Sequence, residues 1–497
     1  MKYLLTYIVI LCLAVRVSAQ PADQLIDTYQ GPELSLASDV VVPGIFGHDE
    51  KGYYSYFYDY RPGLVFLDKE FREVRRNHID LVDGLHGRNL LGVVHFHDTI
   101  YLFTTAPKLK SMLLFVETIN KETLLQNGDR RLLLKVPNLA GWESDFGYRL
   151  SRQQDKLLIY SRLDVLSKNI QEVQLLMFGR GFNLEWETSQ KIIYPRSPPR
   201  KSIIKISDEG DVYFVSLLDE QNLRSVWDGI KNRYHLIAVT EYGQVANSYA
   251  LMLPDLYIRG VMIEPGEDHK LVCAGFYSPT HFRGNVDGIF YFELDNRTGV
   301  FRNQSFHEFD PGVLREAIAE KYIREPDELF EFRPRQLIRR ANGNFILLAE
   351  NQYDQNFDTY QNLIAACFTP GGTLKWTRVI KKRQNIDVGS PLNYSSYCVH
   401  APKNSKNVHL LFNDRDKNEY LPAGARPKTF HPNSLANLKV VTLGPSGETT
   451  SSIIYRKTKK RMKTPIPLQY YDKLNNEMVI PMLRWKRYNY MGISFKE

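Results

Sequence analysis

One outline recurs along the whole of this chain. Residues 362 to 382, NLIAACFTPGGTLKWTRVIKK, run apolar, break at Pro-Gly-Gly, and resume as a second run that ends in positive charges. HLIAVTEYGQVANSYALML, IFYFELDNRTGVFRNQSFHEF and NLKVVTLGPSGETTSSIIYRK follow the same plan. Each places Gly, Asn, Asp or Pro between two strand-like runs, and those residues supply the backbone angles that tight hairpins demand. A second set of hairpins precedes them, among them VVHFHDTIYLFTT, IIKISDEGDVYFVSL and LIRRANGNFILLAEN. The unit is strand, tight turn, strand, variable loop, strand, tight turn, strand, with a period of about 50 to 75 residues. One small four-stranded sheet cannot bury both faces until neighbours stack on it, so this repetition predicts an all-β propeller. Abundant aromatics, 30 Tyr and 26 Phe, suit strands on pleated surfaces.

Seven units carry both hairpins, from near Asp39 to near Arg456. The tail, PLQYYDKLNNEMVIPMLRWKRYNYMGISF, supplies three more strands, and the segment from Asp23 to Leu36 is placed to add the missing outer one. Eight blades closed by joining the two termini is the favoured count, with seven the alternative. Nothing between the units reads as a linker, so residues 20–497 are expected to form one propeller domain. One insert departs from the pattern: in FDPGVLREAIAEKYIREPDEL, Asp310 stands as a cap, Pro311 in the first turn, and Leu314, Ile318 and Tyr322 on one stripe. This predicts a short amphipathic helix near 311–324, packed against the rim.

The first residues, MKYLLTYIVILCLAVRVSAQ, carry Lys2, an apolar stretch and the small residues Ser18 and Ala19, which reads as a secretory signal over residues 1–19. The expected location is therefore periplasmic, outer-membrane-associated or secreted. Cleavage leaves 62 basic against 56 acidic residues, a dilute balance of +6. That suits anionic partners, while export argues against nucleic acid. No later stretch is long and apolar enough to cross a bilayer as a helix, and a monomer is expected. Cys273, Cys367 and Cys398 lie in apolar strand-like runs, so buried free thiols are expected in preference to a disulfide framework; one bridge with one thiol left over is the alternative.

Chain direction alternates through a blade, so the two tight turns fall on one side of the disc. The loop inside each unit and the link to the next fall on the other. Long polar loops such as LDEQNLRSVWDGIKNRY, YSPTHFRGNVDG, ENQYDQNFDTYQ and NDRDKNEYLPAGARPKTFHPNSLAN gather there, with basic links at Lys381-Lys382-Arg383 and from Arg456 to Lys463. Variable loops on a rigid scaffold usually carry function. The expected contacts are Trp227, His281 and Arg283, then Tyr353, Asp354, Asp358 and Tyr360, with Lys381, Lys382 and Arg383 at the rim and Asn413, Asp414, Arg415 and Asp416 beside them.

Specific chemistry is thinner. HFHDT sets His95 and His97 on one side of a strand, as two metal-binding imidazoles require, but it occupies a tight turn. NDRDKNE spaces Asp414, Asp416 and Asn418 as a calcium loop begins, yet Glu419 stands where glycine is needed. No metal or cofactor is expected on these grounds. Asp59, Asp164, Asp219, Glu220, Glu350 and Asp414 could bring acid/base pairs to the long-loop side, and nothing in the sequence pairs them. No Gly-x-Ser-x-Gly elbow, phosphate loop or dinucleotide fingerprint occurs. The expected function is a non-enzymatic propeller that binds a protein or glycan partner across its long-loop face. A carbohydrate-active hydrolase or lyase using carboxylates in the central depression is the alternative.

The order of motifs in the second half, GIFYFELDNRTG, SFHEF, ELFEFRPRQLIRRANGNFILLAENQY, WTRVIKKRQ, YSSY and LLFNDRDKN, resembles that of an uncharacterised family of exported bacterial propeller-like proteins found especially in the Bacteroidetes. The resemblance spans roughly residues 255 to 450. It implies a Gram-negative envelope location and a propeller-like fold, and it carries no activity or site residues. TPGGTLKW, ending at Trp376, is also similar to the blade-docking turn of quinoprotein dehydrogenases, but the tryptophan does not recur regularly and the adjacent cysteine pair of those enzymes is missing.

Overall fold

The apolar runs of each unit become four consecutive strands that pair as an antiparallel meander, and eight such sheets follow one another around a ring. The computed structural model describes residues 26–496, apart from gaps at 36–40, 195–201, 218–233, 281–284, 319–328, 386–393 and 457–463 and shorter ones elsewhere. Blade 1 uses Val41–Asp49, Gly52–Tyr58, Pro62–Asp68 and Glu73–His78. Blades 2 to 7 span 89–137, 142–193, 202–251, 257–308, 332–380 and 398–456. Blade 8 takes three strands from 470–495 and its outermost strand from the other end of the chain, Ile26–Gln30. That strand pairs with the last one from Ile26 opposite Phe495 to Gln30 opposite Met491, so the two ends of the chain close the ring. The favoured count of eight and its mode of closure are both observed, as is the propeller-like fold that the resemblance implies.

The core lies between blades. Middle strands are buried on both faces and therefore read as continuous apolar runs rather than alternating ones. In Phe345–Gln355 of blade 6, Ile346 and Leu348 pack toward blade 7 while Leu347 and Ala349 pack toward blade 5. Cys273, Cys367 and Cys398 are buried free thiols in these layers. Burial pushes the Cys398 thiol up to about 12 and Cys367 up to about 11, which leaves both unreactive.

Neighbouring blades are also tied at their outer turns. Trp376 of blade 6 donates its indole N–H to Pro445 O at 3.2 Å and lies on Gly447, where a Cβ would come within 2.7 Å of the ring. Gly447 has φ +85°, so the turn and the close approach both require glycine. Trp186 covers Gly243 of blade 4 in the same way, and Tyr249 stands over Gly299 of blade 5. The docking recurs more often than the tryptophan does, because tyrosine can take its place.

The insert forms a helix over Pro311–Ala317, shorter than the sequence pattern suggests. Asp310 occupies the cap position without a side-chain cap; its carbonyl accepts the Leu314 N–H at 3.1 Å instead. Leu314 and Ala317 are buried against blades 5 and 6, Ile318 packs beside them in extended backbone, and Tyr322 lies outside the described residues. Among the described residues no helix is long and apolar enough to cross a membrane.

Candidate functional site on the long-loop side of blades 6 and 7

The meander puts the tight turns at one end of each blade, and at that end the ring is spanned by side chains. Arg152 of blade 3 donates to Arg339 O of blade 6 at 2.9 Å, and Arg339 pairs with Glu267 of blade 5. The opposite end holds the variable loops, although not everywhere. In blade 2 the corresponding connection is a tight turn between Lys108 and Ser111, and in blade 6 the expected loop is a hairpin. Its strands, Phe345–Gln355 and Phe357–Phe368, stay paired to the tip, with Tyr353 opposite Thr359 and Asp354 opposite Asp358.

At the base of that hairpin is a buried charged cluster. Glu350, on the second strand of blade 6, lies 2.5 Å from the Lys382 ammonium, and both side chains are fully buried. Ser396 Oγ donates to Glu350 Oε2 at 2.7 Å, and Arg335 from the first strand approaches the same oxygen at 3.5 Å. Lys382 also donates to Gln384 Oε1 at 3.0 Å and sits 5.6 Å from the centre of the Tyr360 ring. Burial disfavours the ammonium and draws the Lys382 pKa down, while Glu350 works in the other direction. Gln384 extends the network to Asn413 O at 2.7 Å. Asn413 in turn donates to Tyr394 O and Thr464 O, both at 2.8 Å, tying blade 7 to the links on either side of it.

Asp414, one residue further on, belongs to a separate feature. A cavity of about 280 Å³ opens on the outer half of blade 7, between its last two strands and the loop that follows the second. Asp414, Asn418, Glu419, Asn437, Lys439 and Arg456 supply much of its polar wall, with the hydroxyls of Ser451 and Ser452 along one side. Of the residues that line it, only Ile453 is apolar. Asp414 is buried, which raises its pKa, with Asn418 and Lys439 pulling the other way. Its carboxylate accepts from Asn418 Nδ2 at 2.6 Å and lies 3.7 Å from Lys439 Nζ. Glu419 pairs with Arg456, and Tyr420 beside them is 80% exposed.

The structure therefore divides the expected contacts. Lys382, Tyr360 and Asn413 are buried: the extended backbone through residues 381–385 sends every second side chain inward, and Lys382 lies inside the rim where the sequence placed it on the surface. Lys381 and Arg383 are half-buried on either side of it. Asp414 and Arg415 line the cavity, and Asp416 begins a turn of 3-10 helix, Asp416–Tyr420. That helix folds Asn418 back onto Asp414, so the calcium-like spacing closes on itself. Tyr353, Asp354 and Asp358 lie at the hairpin tip with side chains that are not described, and Trp227, His281 and Arg283 lie outside the described residues. So do Asp59, Asp219, Glu220 and residues 1–19.

Of the other carboxylates, Asp164 accepts from Gln171 at 2.7 Å inside blade 3. His95 is held neutral by burial, its pKa lowered to about 4, and among the described residues no group of three or more His, Cys, Asp or Glu side chains is placed to hold a metal ion. The residues that the sequence did not single out are Asn437, Lys439, Ser451 and Ser452. They sit on strands that read as ordinary amphipathic runs, and only the fold brings them to the loop.

No family model and no curated protein matches the chain. Among solved structures, an oligogalacturonate lyase in complex with manganese aligns over 94% of this chain and 98% of its own, at 10% identity and a TM-score of 0.36. An ulvan lyase aligns over 84% of this chain and 96% of its own, at 10% identity and a TM-score of 0.40. Prolyl oligopeptidase B from Galerina marginata aligns over 94% of this chain at 8% identity and a TM-score of 0.38, and the chain spans 56% of that protein's length. Likenesses this distant concern the fold alone.

Proposed function

We propose that this propeller is a non-enzymatic, exported protein that binds a glycan on its long-loop side, in the cavity of blade 7. The cavity carries the reading. Its volume of about 280 Å³ falls just below the usual range for ligand sites, and its walls offer hydroxyls, amides and charges, with the exposed Tyr420 in contact with two lining residues, Glu419 and Arg456. A sugar ring suits such walls, because they offer many weak hydrogen bonds to its hydroxyls.

Against catalysis stands the state of the described carboxylates. Glu350 is paired with the buried Lys382 and Asp164 accepts from Gln171, while Asp414, raised by burial in the cavity wall, stands with Glu419, which is itself paired with Arg456. The test is calorimetric titration with oligosaccharides, comparing the natural protein with Asn437→Ala. Loss of one amide is expected to weaken binding by about two- to tenfold. Release of new reducing ends or unsaturated uronates from any polysaccharide would overturn the non-enzymatic reading. Envelope fractionation tests export.

A further inference from the structure

We infer that the glycan taken by the blade 7 cavity is acidic and that Arg415 and Lys439 receive its carboxylate or sulfate group; this rests on reading the cavity as a glycan site. Three cations line the cavity, Arg415, Lys439 and Arg456, against two carboxylates, Asp414 and Glu419. Arg456 is committed, since its guanidinium pairs with Glu419. The other two keep donors to spare. Among the described residues the Arg415 guanidinium meets only Thr429 O, at 3.3 Å, which spends one N–H of its fork. The Lys439 ammonium stands 3.7 Å from Asp414 Oδ2, too far for a hydrogen bond, and its side chain is partly open to solvent.

An oxyanion on the ligand suits these two donors. The planar guanidinium gives parallel N–H groups to a carboxylate or sulfate, and the ammonium adds a point charge beside it. Drawing Lys439 toward the ligand costs Asp414 little. Asp414 Oδ1 already accepts from Asn418 Nδ2 at 2.6 Å and from the Arg415 backbone N–H at 2.9 Å, and burial disfavours its charge by raising its pKa. The neutral groups of the wall are then left for the sugar's hydroxyls. Ser451 is exposed and Ser452 half-buried, and each hydroxyl can donate once and accept twice. Asn437 gives one N–H weakly to Glu419 at 3.5 Å and keeps its carbonyl oxygen to accept from a sugar hydroxyl.

The experiment titrates the full chain with series matched in length: oligogalacturonates and sulfated galacto-oligosaccharides against neutral galacto-oligosaccharides, and oligomannuronates against neutral manno-oligosaccharides. At least one acidic series is expected to bind about tenfold tighter than its neutral match and to lose about threefold or more of that affinity between low salt and roughly 0.5 M NaCl. Which acidic series does so separates carboxylate from sulfate. Arg415→Gln and, separately, Lys439→Gln each remove one cation and should lower the ratio of acidic to neutral affinity by about fivefold or more, thermal unfolding showing that each variant is folded. The salt dependence of the natural protein needs no variant. Neutral series that bind as tightly as their acidic matches in every pair would overturn the inference while leaving the glycan reading intact, and so would an acidic preference that survives both substitutions. Silence from every probe would overturn the glycan reading itself.

Discussion

Blades 6 and 7 bury titratable groups at both ends, and the two ends solve the problem in opposite ways. On the long-loop side, Lys382 and Glu350 are both buried as an ion pair with further polar partners around them. On the tight-turn side, His400 and His409 are buried without charge: Phe495 of blade 8 stacks on both, at 4.3 and 4.1 Å, and neither ring nitrogen of His400 has a partner. Burial lowers the His400 pKa to about 3 and that of His409 to about 4, the latter with help from Arg340. The difference lies in what each group can do when taken out of water. Lysine and glutamate keep their charges only by meeting each other, whereas histidine can give its charge up. The paired cluster should therefore be sensitive to mutation, and the neutral one to pH.

The largest effect is expected from breaking the pair. Lys382→Met leaves the buried Glu350 with only the more distant Arg335 to balance its charge and should destabilise the fold by about 3 kcal/mol in denaturant titrations. The double variant Lys382→Met with Glu350→Gln should recover much of that loss, because the uncompensated charge is gone. If the double variant is no better than the single one, the cluster is held by shape rather than by charge.

Acid should open the other end. An unfolded histidine titrates near 6.5, so above that pH both imidazoles are neutral in either state and their contribution is complete. As pH falls below it, the unfolded chain takes up protons that the native fold refuses. Stability is then lost at up to about 1.4 kcal/mol per pH unit for each ring, until the native values near 3 and 4 are reached. Because Phe495 pairs with Ile26 of the closing strand, the loss should appear first as exchange of amides in blade 8. His400→Phe keeps the aromatic stack and should flatten the slope by about a quarter between roughly pH 7 and pH 5, because His409, His95 and His235, all lowered by burial, still contribute. An unchanged slope in that variant would place the acid sensitivity elsewhere.

These two ends also mark how far the sequence could be read. The turns were legible because hairpins demand particular residues at fixed offsets, as at Gly372 and Gly447, and the blade count followed from them. Closure was legible because the last blade lacked one strand. Burial at the blade ends was not. Lys381-Lys382-Arg383 reads as a solvated basic run, yet the chain stays extended there and pairs Gln384 with Tyr360, so strand alternation takes Lys382 inside. CVHAPKNSKNVHLLF likewise gives no hint that His400 and His409 become a register pair facing the closing blade. Composition cannot say which side of a strand a charge takes when the strand continues past the expected end of its apolar run.

That alternation yields the smallest predicted effect and a direct check on it. Lys381 and Lys382 are adjacent, equally charged and at the same end of blade 6, but only Lys382 is enclosed. Reversing Lys382 to Glu sets a second carboxylate against Glu350 and should prevent stable folding. Reversing Lys381 to Glu should shift stability by only about 0.5 kcal/mol or less, as substitutions at partly solvated positions usually do. Side-by-side thermal unfolding of the two variants decides the point. Because the proposed cavity in blade 7 does not include Lys381, titration of the Lys381→Glu protein with oligosaccharides should also match the natural protein. If Lys381→Glu unfolds as readily as Lys382→Glu, the inward turn of every second side chain through residues 381–385 is wrong, and with it the contrast between a paired and a neutral end.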